Sequence, residues 1–93
     1  MIRSFRCRET EKVFRRHVSR RFPFEVQQRA FMKLNALDVA TRLEDLRMPP
    51  SDRLEALQGD RRGQWSIRIN DKWRICFRWH EGNAEQVEIV DYH

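Results

Sequence analysis

Cysteine is scarce in this sequence. Cys7 and Cys76 are its two cysteines, far apart and outside any Cys-x-x-Cys pair. They make no disulfide framework, and both read as reduced. Cys76 stands between Ile75 and Phe77, which marks it as a packing or strand-face residue rather than a reactive thiol. Glycine is as rare, with only Gly59, Gly63 and Gly82, so no glycine-rich loop exists to cradle a phosphate. His17, His80 and His93 show no metal-ligand spacing, and neither a metal nor another cofactor is expected. No apolar run approaches the roughly 20 residues that cross a bilayer, so no membrane partner is expected. The opening MIRSFRCRETEKVFRRH lacks the apolar core of a signal peptide, which predicts a cytoplasmic protein.

Charge is what the chain has in excess. Lys and Arg total 19 against 14 Asp and Glu, a net charge of +5 in 93 residues. The excess is not spread evenly. Residues 1–24 carry eight bases and two acids, a net of +6, whereas residues 25–60 are net −2 and residues 61–93 net +1. One end of the fold is therefore expected to be strongly positive, which favours polyanionic partners. With 40% hydrophobic and 11% aromatic residues, the chain has enough apolar surface for one core, and residues 1–93 read as a single domain.

Hydrophobic spacing changes period along the chain. Met1 to Phe5 reads as a short edge strand. Thr10 is a helix-start signal, and Val13, Phe14 and Val18 space as one helical face up to the break at Pro23. From Glu25, residues Val26, Ala30, Leu34 and Leu37 recur at helical intervals with Phe31 beside them. Leu43 and Leu46 continue this helix or form an extra turn, and Pro49-Pro50 ends it. Leu54 to Leu57 reads as a short strand. Beyond it the period becomes two. Trp65, Ile67 and Ile69 alternate, as do Trp73, Ile75, Phe77 and Trp79, around the turn-sized Asn70-Asp71-Lys72. Gln86 to Asp91 forms a last strand after the Glu81-Gly82-Asn83 turn. The fold class is α+β, with two N-terminal helices packed on one face of a small antiparallel β-sheet.

Alternation then sorts the strand residues. Trp65, Ile67, Ile69, Trp73, Ile75, Phe77 and Trp79 face the helices as core. Ser66, Arg68, Asn70, Arg74, Cys76 and Arg78 share the face that the helices leave uncovered. Three arginines on one sheet face form a candidate phosphate-binding surface, because a guanidinium is planar, permanently charged and bidentate. The plainer reading is a solvated strand face. Arg61 and Arg62 lie in the loop leading into it. The chain closes on Asp91-Tyr92-His93, and its Tyr and His are both capable of proton transfer, unless the segment is simply a frayed tail. His17 and His80 read as a helix-surface and a turn residue with no catalytic part.

Residues 53–79, RLEALQGDRRGQWSIRINDKWRICFRW, and the closing VEIVDYH resemble the HigB-like toxins of bacterial type II toxin–antitoxin systems, members of the RelE/ParE superfamily. The opening MIRSF with its basic helix and the stretch ALDVATRLEDLRMPPSDRLEAL are similar too. The resemblance implies a RelE/ParE-like fold and a ribosome-dependent mRNA endoribonuclease that inhibits translation and growth without a metal. It implies a HigA-type helix-turn-helix antitoxin as partner, besides the ribosome and mRNA. Carried onto this chain, the catalytic positions are Arg74, Asp91, Tyr92 and His93, and Arg61, Arg68 and Arg78 extend the set as RNA- or phosphate-binding residues. Glu55 and Gln58 stand where RNA-cleaving relatives often carry a His and a Lys. That departure keeps open a weakly or non-nucleolytic growth inhibitor, either a ParE-like gyrase inhibitor or a ribosome-binding protein. A plain basic nucleic-acid-binding module is the third reading.

Overall fold

Pro23 and Asn70 set the two halves of the architecture. Pro23 supplies the last extended residue before a long helix and accepts hydrogen bonds from the amides of Val26 and Gln27. Asn70 organises the hairpin turn, its side-chain oxygen accepting from the amides of Lys72 at 2.9 Å and Trp73 at 2.8 Å. A computed structural model describes residues 1–91. Helix α1 spans Arg8–Phe14 and α2 spans Phe24–Val39. Short 3-10 turns at Leu43–Arg47 and Pro50–Asp52 lead into strand β1, Glu55–Ala56. A further 3-10 turn, Gly59–Arg61, precedes β2 at Trp65–Arg68, β3 at Trp73–His80 and β4 at Asn83–Asp91. The strands form one antiparallel sheet in the order β1-β2-β3-β4.

The N-terminal segment lies along the outer edge of β4, with parallel bridges from Ile2 to Ala84 and from Phe5 to Val87. The amide of Arg3 donates to the Ala84 carbonyl at 2.8 Å and that of Arg6 to the Val87 carbonyl at 3.0 Å. The edge strand read from Ile2 and Phe5 is thus present as two bridges.

The helices pack on one sheet face, and the residues chosen by periodicity meet there. Val26, Ala30, Leu34 and Leu37 of α2 are buried against Ile67, Ile69, Ile75, Phe77, Val87 and Ile89. Each such aliphatic side chain contributes roughly 1.5–3 kcal/mol by leaving water. Trp65, Trp73 and Trp79 pack around this core, partly buried, with Phe22 edge-on to Trp73 at 5.5 Å. One buried polar contact locks helix to strand: the Ile89 amide donates to Thr10 Oγ1 at 2.9 Å.

Two expectations need correction. Val18 is not on the α1 face, because α1 stops at Phe14 and Arg16 turns into the left-handed region at φ 63°. The Val18 side chain is thereby turned outward and is 79% exposed, although Ser19 and Phe22 farther on are buried. The last strand starts at Asn83 rather than Gln86, since Gln86 is the extra residue of a bulge (φ 52°) inside it and not its first residue. No helix among the described residues is long and apolar enough to cross a membrane.

Candidate functional site

The Asn70 turn fixes the hairpin register, and the register decides which side chains share a face. Ser66 pairs with Cys76 and Arg68 with Arg74; on the other side of β3, Cys76 pairs with Glu88 and Arg74 with Val90. Paired residues point the same way. Ser66, Arg68, Arg74, Cys76 and Glu88 therefore stand together on the face turned away from α1 and α2. Arg78, two residues beyond Cys76 on β3, joins them.

This face is not uncovered, which corrects the reading from alternation alone. Ser66 and Cys76 are fully buried, and only 11% of the Arg74 side chain is exposed. The segment from Arg53 to Gln64 closes over it, with Leu57 and Gln64 themselves buried. Among the described residues Arg74 is held by Ser66, Arg53 and Glu55. Its Nε donates to Ser66 Oγ at 2.8 Å, its Nη2 donates to the Arg53 carbonyl at 2.8 Å, and the Glu55 carboxylate lies 3.7 Å from Nη2. Its guanidinium plane is thereby preset rather than left to swing.

Arg61 reaches the same face from the Gly59–Arg61 turn. Its Nη1 donates to Glu88 Oε1 at 2.7 Å and to Gln64 Oε1 at 3.0 Å. The Cys76 thiol lies among these groups, and burial pushes its pKa up; Arg61 and Arg74 pull it down, while Glu88 adds to the rise. It is therefore a neutral thiol at pH 7. Arg68 pairs with Asp71 at the hairpin end. Arg78 donates from Nε to Gln86 Oε1 at 3.3 Å and lies against Gly63, where a Cβ would come within 2.8 Å of its Nη1.

Asp91 is placed differently. It pairs with Trp73, whose neighbours Phe22 and Ile75 belong to the helix side. Its carboxylate is 3.7 Å from Lys72 Nζ and borders a cavity of about 700 Å³ that Arg6, Cys7, Arg21, Phe22 and Trp73 also line. Arg61, Arg68, Arg74 and Arg78 thus share one face, and Asp91 stands at the strand end on the other. Tyr92 and His93 lie outside the described residues. Among the described residues no group of three His, Cys, Asp or Glu side chains is arranged to hold a metal.

Ser66, Glu88 and the Arg53 carbonyl orient the arginines. Alternation places Ser66 on this face without giving it a role. Glu88 and Arg53 were not legible, because their contacts depend on how the chain closes over the sheet.

A family model described as RelE-like toxin of type II toxin-antitoxin system HigB matches residues 3–93. The chain is 34% identical over 93 residues to Endoribonuclease HigB of Proteus vulgaris, covering the whole of both chains. It is 42% identical over 65 residues to Toxin HigB-1 of Vibrio cholerae serotype O1, covering 70% of this chain and 68% of that protein.

Proposed function

Because the chain belongs to the HigB-like toxins of type II toxin–antitoxin systems, we propose that it is a ribosome-dependent mRNA endoribonuclease that arrests translation and growth. The partners in this reading are the ribosome with its mRNA and a HigA-type helix-turn-helix antitoxin, and the site of action is the cytoplasm. The observation that carries the reading is Arg74: a nearly buried guanidinium, preset by Ser66 and the Arg53 carbonyl, directly opposite a second arginine. Like charges placed opposite one another weaken a sheet. A polyanion passing between them is a physical reason for keeping the pair.

The chemistry is metal-independent transesterification. A ribose 2′-hydroxyl attacks the adjacent phosphorus, its proton goes to a base, and a pentacoordinate oxyanion forms. The bond to the 5′-oxygen breaks, an acid protonates that oxygen, and a 2′,3′-cyclic phosphate is left behind. Arg74, aided by Arg68, Arg61 and Arg78, stabilises the developing charge. In this reading Tyr92 and His93 supply the proton transfers, and Asp91, whose pairing with Trp73 puts it on the helix side of the sheet, takes no part in them. Weak intrinsic acid–base groups make alignment by the ribosome the larger share of catalysis.

One observation favours a weaker enzyme. The Glu55 carboxylate lies 3.7 Å from Arg74 and competes for the charge that a phosphate would meet. A non-nucleolytic gyrase inhibitor of the ParE kind is the corresponding alternative. Purified translation complexes and supercoiling assays separate the two. Cut mRNA with new 5′-hydroxyl ends, lost in Tyr92→Phe and His93→Ala, is the expected result; intact mRNA with blocked supercoiling selects the alternative.

A further inference from the structure

The helical layer carries a second feature, remote from the arginine face. Helix α1 ends in a Schellman turn: the Arg16 amide donates to the Val13 carbonyl at 3.1 Å and the His17 amide to the Lys12 carbonyl at 2.7 Å. Glycine is the usual residue at the left-handed position of this turn, and a residue with a Cβ is held there at a cost of about 1 kcal/mol. The Arg16 guanidinium lies 4.5 Å above the centre of the Phe31 ring.

Arg16 and Phe31 wall a groove of about 240 Å³, which Val13, Val18 and Phe24 also line. Phe24 is 67% exposed and Val18 79% exposed. Met32 and Val39 are exposed as well, and with Phe24 they fall on one side of α2 at intervals of eight and seven residues. Exposed apolar side chains gathered in a line mark a protein-binding surface. The polar wall is partly closed, since Gln27 already bonds Ser19 and the Phe22 carbonyl. Arg16 is the arginine that lines the groove; Arg15 beside it is paired with Glu11, and Arg21 turns to Cys7.

We propose that this groove and the apolar line of α2 seat an acidic amphipathic segment of the chain's antitoxin, its apolar anchors on Val18 and Phe24 and a carboxylate on Arg16. Complementary charge selects the occupant: a second copy of this chain would bring the same arginine to the contact. RNA would use Arg16 and Phe24 but leave the aliphatic line of Val18, Met32 and Val39 in water, whereas an amphipathic protein segment covers both. The inference rests on membership of a toxin–antitoxin family and is independent of whether the sheet face cuts RNA.

The test is calorimetric titration of the purified chain with its purified antitoxin. A Val18→Asp/Phe24→Asp variant is suited to it, since Val18 lies in an exposed loop and an acid in the first turn of α2 favours the helix. Expected is about 100-fold weaker binding, with growth arrest that the antitoxin no longer relieves. Arg16→Gly keeps the turn and removes the guanidinium; expected is about fivefold weaker binding and a flatter salt dependence. Arg74→Ala should bind the antitoxin within twofold of wild type. Binding by the double aspartate variant within threefold of wild type overturns the proposal. So does loss of self-association alone, which assigns the groove to a second copy, and so does equal damage from Arg74→Ala.

Discussion

The two faces of the sheet are equally dry at their centres and are filled by opposite chemistry. Toward the helices, Ile67, Ile75 and Phe77 are buried by aliphatic and aromatic neighbours. Away from them, Ser66 and Cys76 are as fully buried, beneath arginine side chains, a glutamate and the segment from Arg53 to Gln64. The first face needs no explanation beyond the hydrophobic effect. The second does, because a well-packed apolar residue at Arg74 would serve stability as well as a nearly buried ion pair. The comparison teaches that depth of burial does not distinguish core from site in this fold; buried polarity does.

Substitutions on the two faces should separate stability from activity. Phe77→Ala on the helix face is expected to cost about 3–5 kcal/mol of stability, a large part of the total for a domain of this size, read by denaturant titration. Arg74→Ala has the next largest effect and falls on activity. Growth arrest and mRNA cleavage should drop about 10²–10³-fold while thermal unfolding shows a folded protein, and Arg74→Lys, which keeps charge without the fork, should recover little. Full toxicity of folded Arg74→Ala protein would falsify the assignment and leave the arginine face structural. Ser66→Ala comes third. It removes the acceptor for Arg74 Nε and should lower cleavage about fivefold, the worth of one neutral hydrogen bond near 1 kcal/mol. An unchanged rate would show that the Arg53 carbonyl alone orients the guanidinium.

The fold was largely legible because its signals are local. The period of two in Trp65–Ile69 and Trp73–Trp79, the Asn70 turn and the helical spacing from Val26 to Leu37 each specify an element without reference to the rest. The two misreadings arose where backbone geometry overrode spacing. Arg16 takes a conformation expected of glycine, which ejects Val18, and Gln86 bulges inside a strand that pattern alone starts there. For the site, alternation put Arg68, Arg74 and Arg78 on one face, and register agrees. The closing of Arg53–Gln64 over that face was not legible, because it depends on contacts such as Arg61 to Glu88 across 27 residues. The side taken by Asp91 was legible, because it alternates with Val87 and Ile89, which face the helices.

The smallest expected effect uses one cysteine from each side. Burial pushes the Cys76 thiol up. At Cys7 partial burial also pushes upward, but hydrogen bonds from Thr10 and Glu9 and the charge of Arg21 outweigh it, so that thiol is lowered. The signs for stability are opposite. The folded protein keeps Cys76 protonated after the unfolded chain, with a thiol pKa near 8.5, has begun to release its proton. That contribution is whole below the unfolded value and disappears as pH rises through it toward the folded one. Cys7 gives the reverse, a contribution that grows as pH rises from its folded value through the unfolded one. Melting temperatures measured between pH 7 and about 10 should therefore fall less steeply for Cys76→Ala than for wild type, and more steeply for Cys7→Ala. A thiol reagent under native conditions should modify half-buried Cys7 first and reach Cys76 only on unfolding. Equal labelling rates would mean that the arginine face opens to solvent, and the two faces would then differ in dynamics as well as in chemistry.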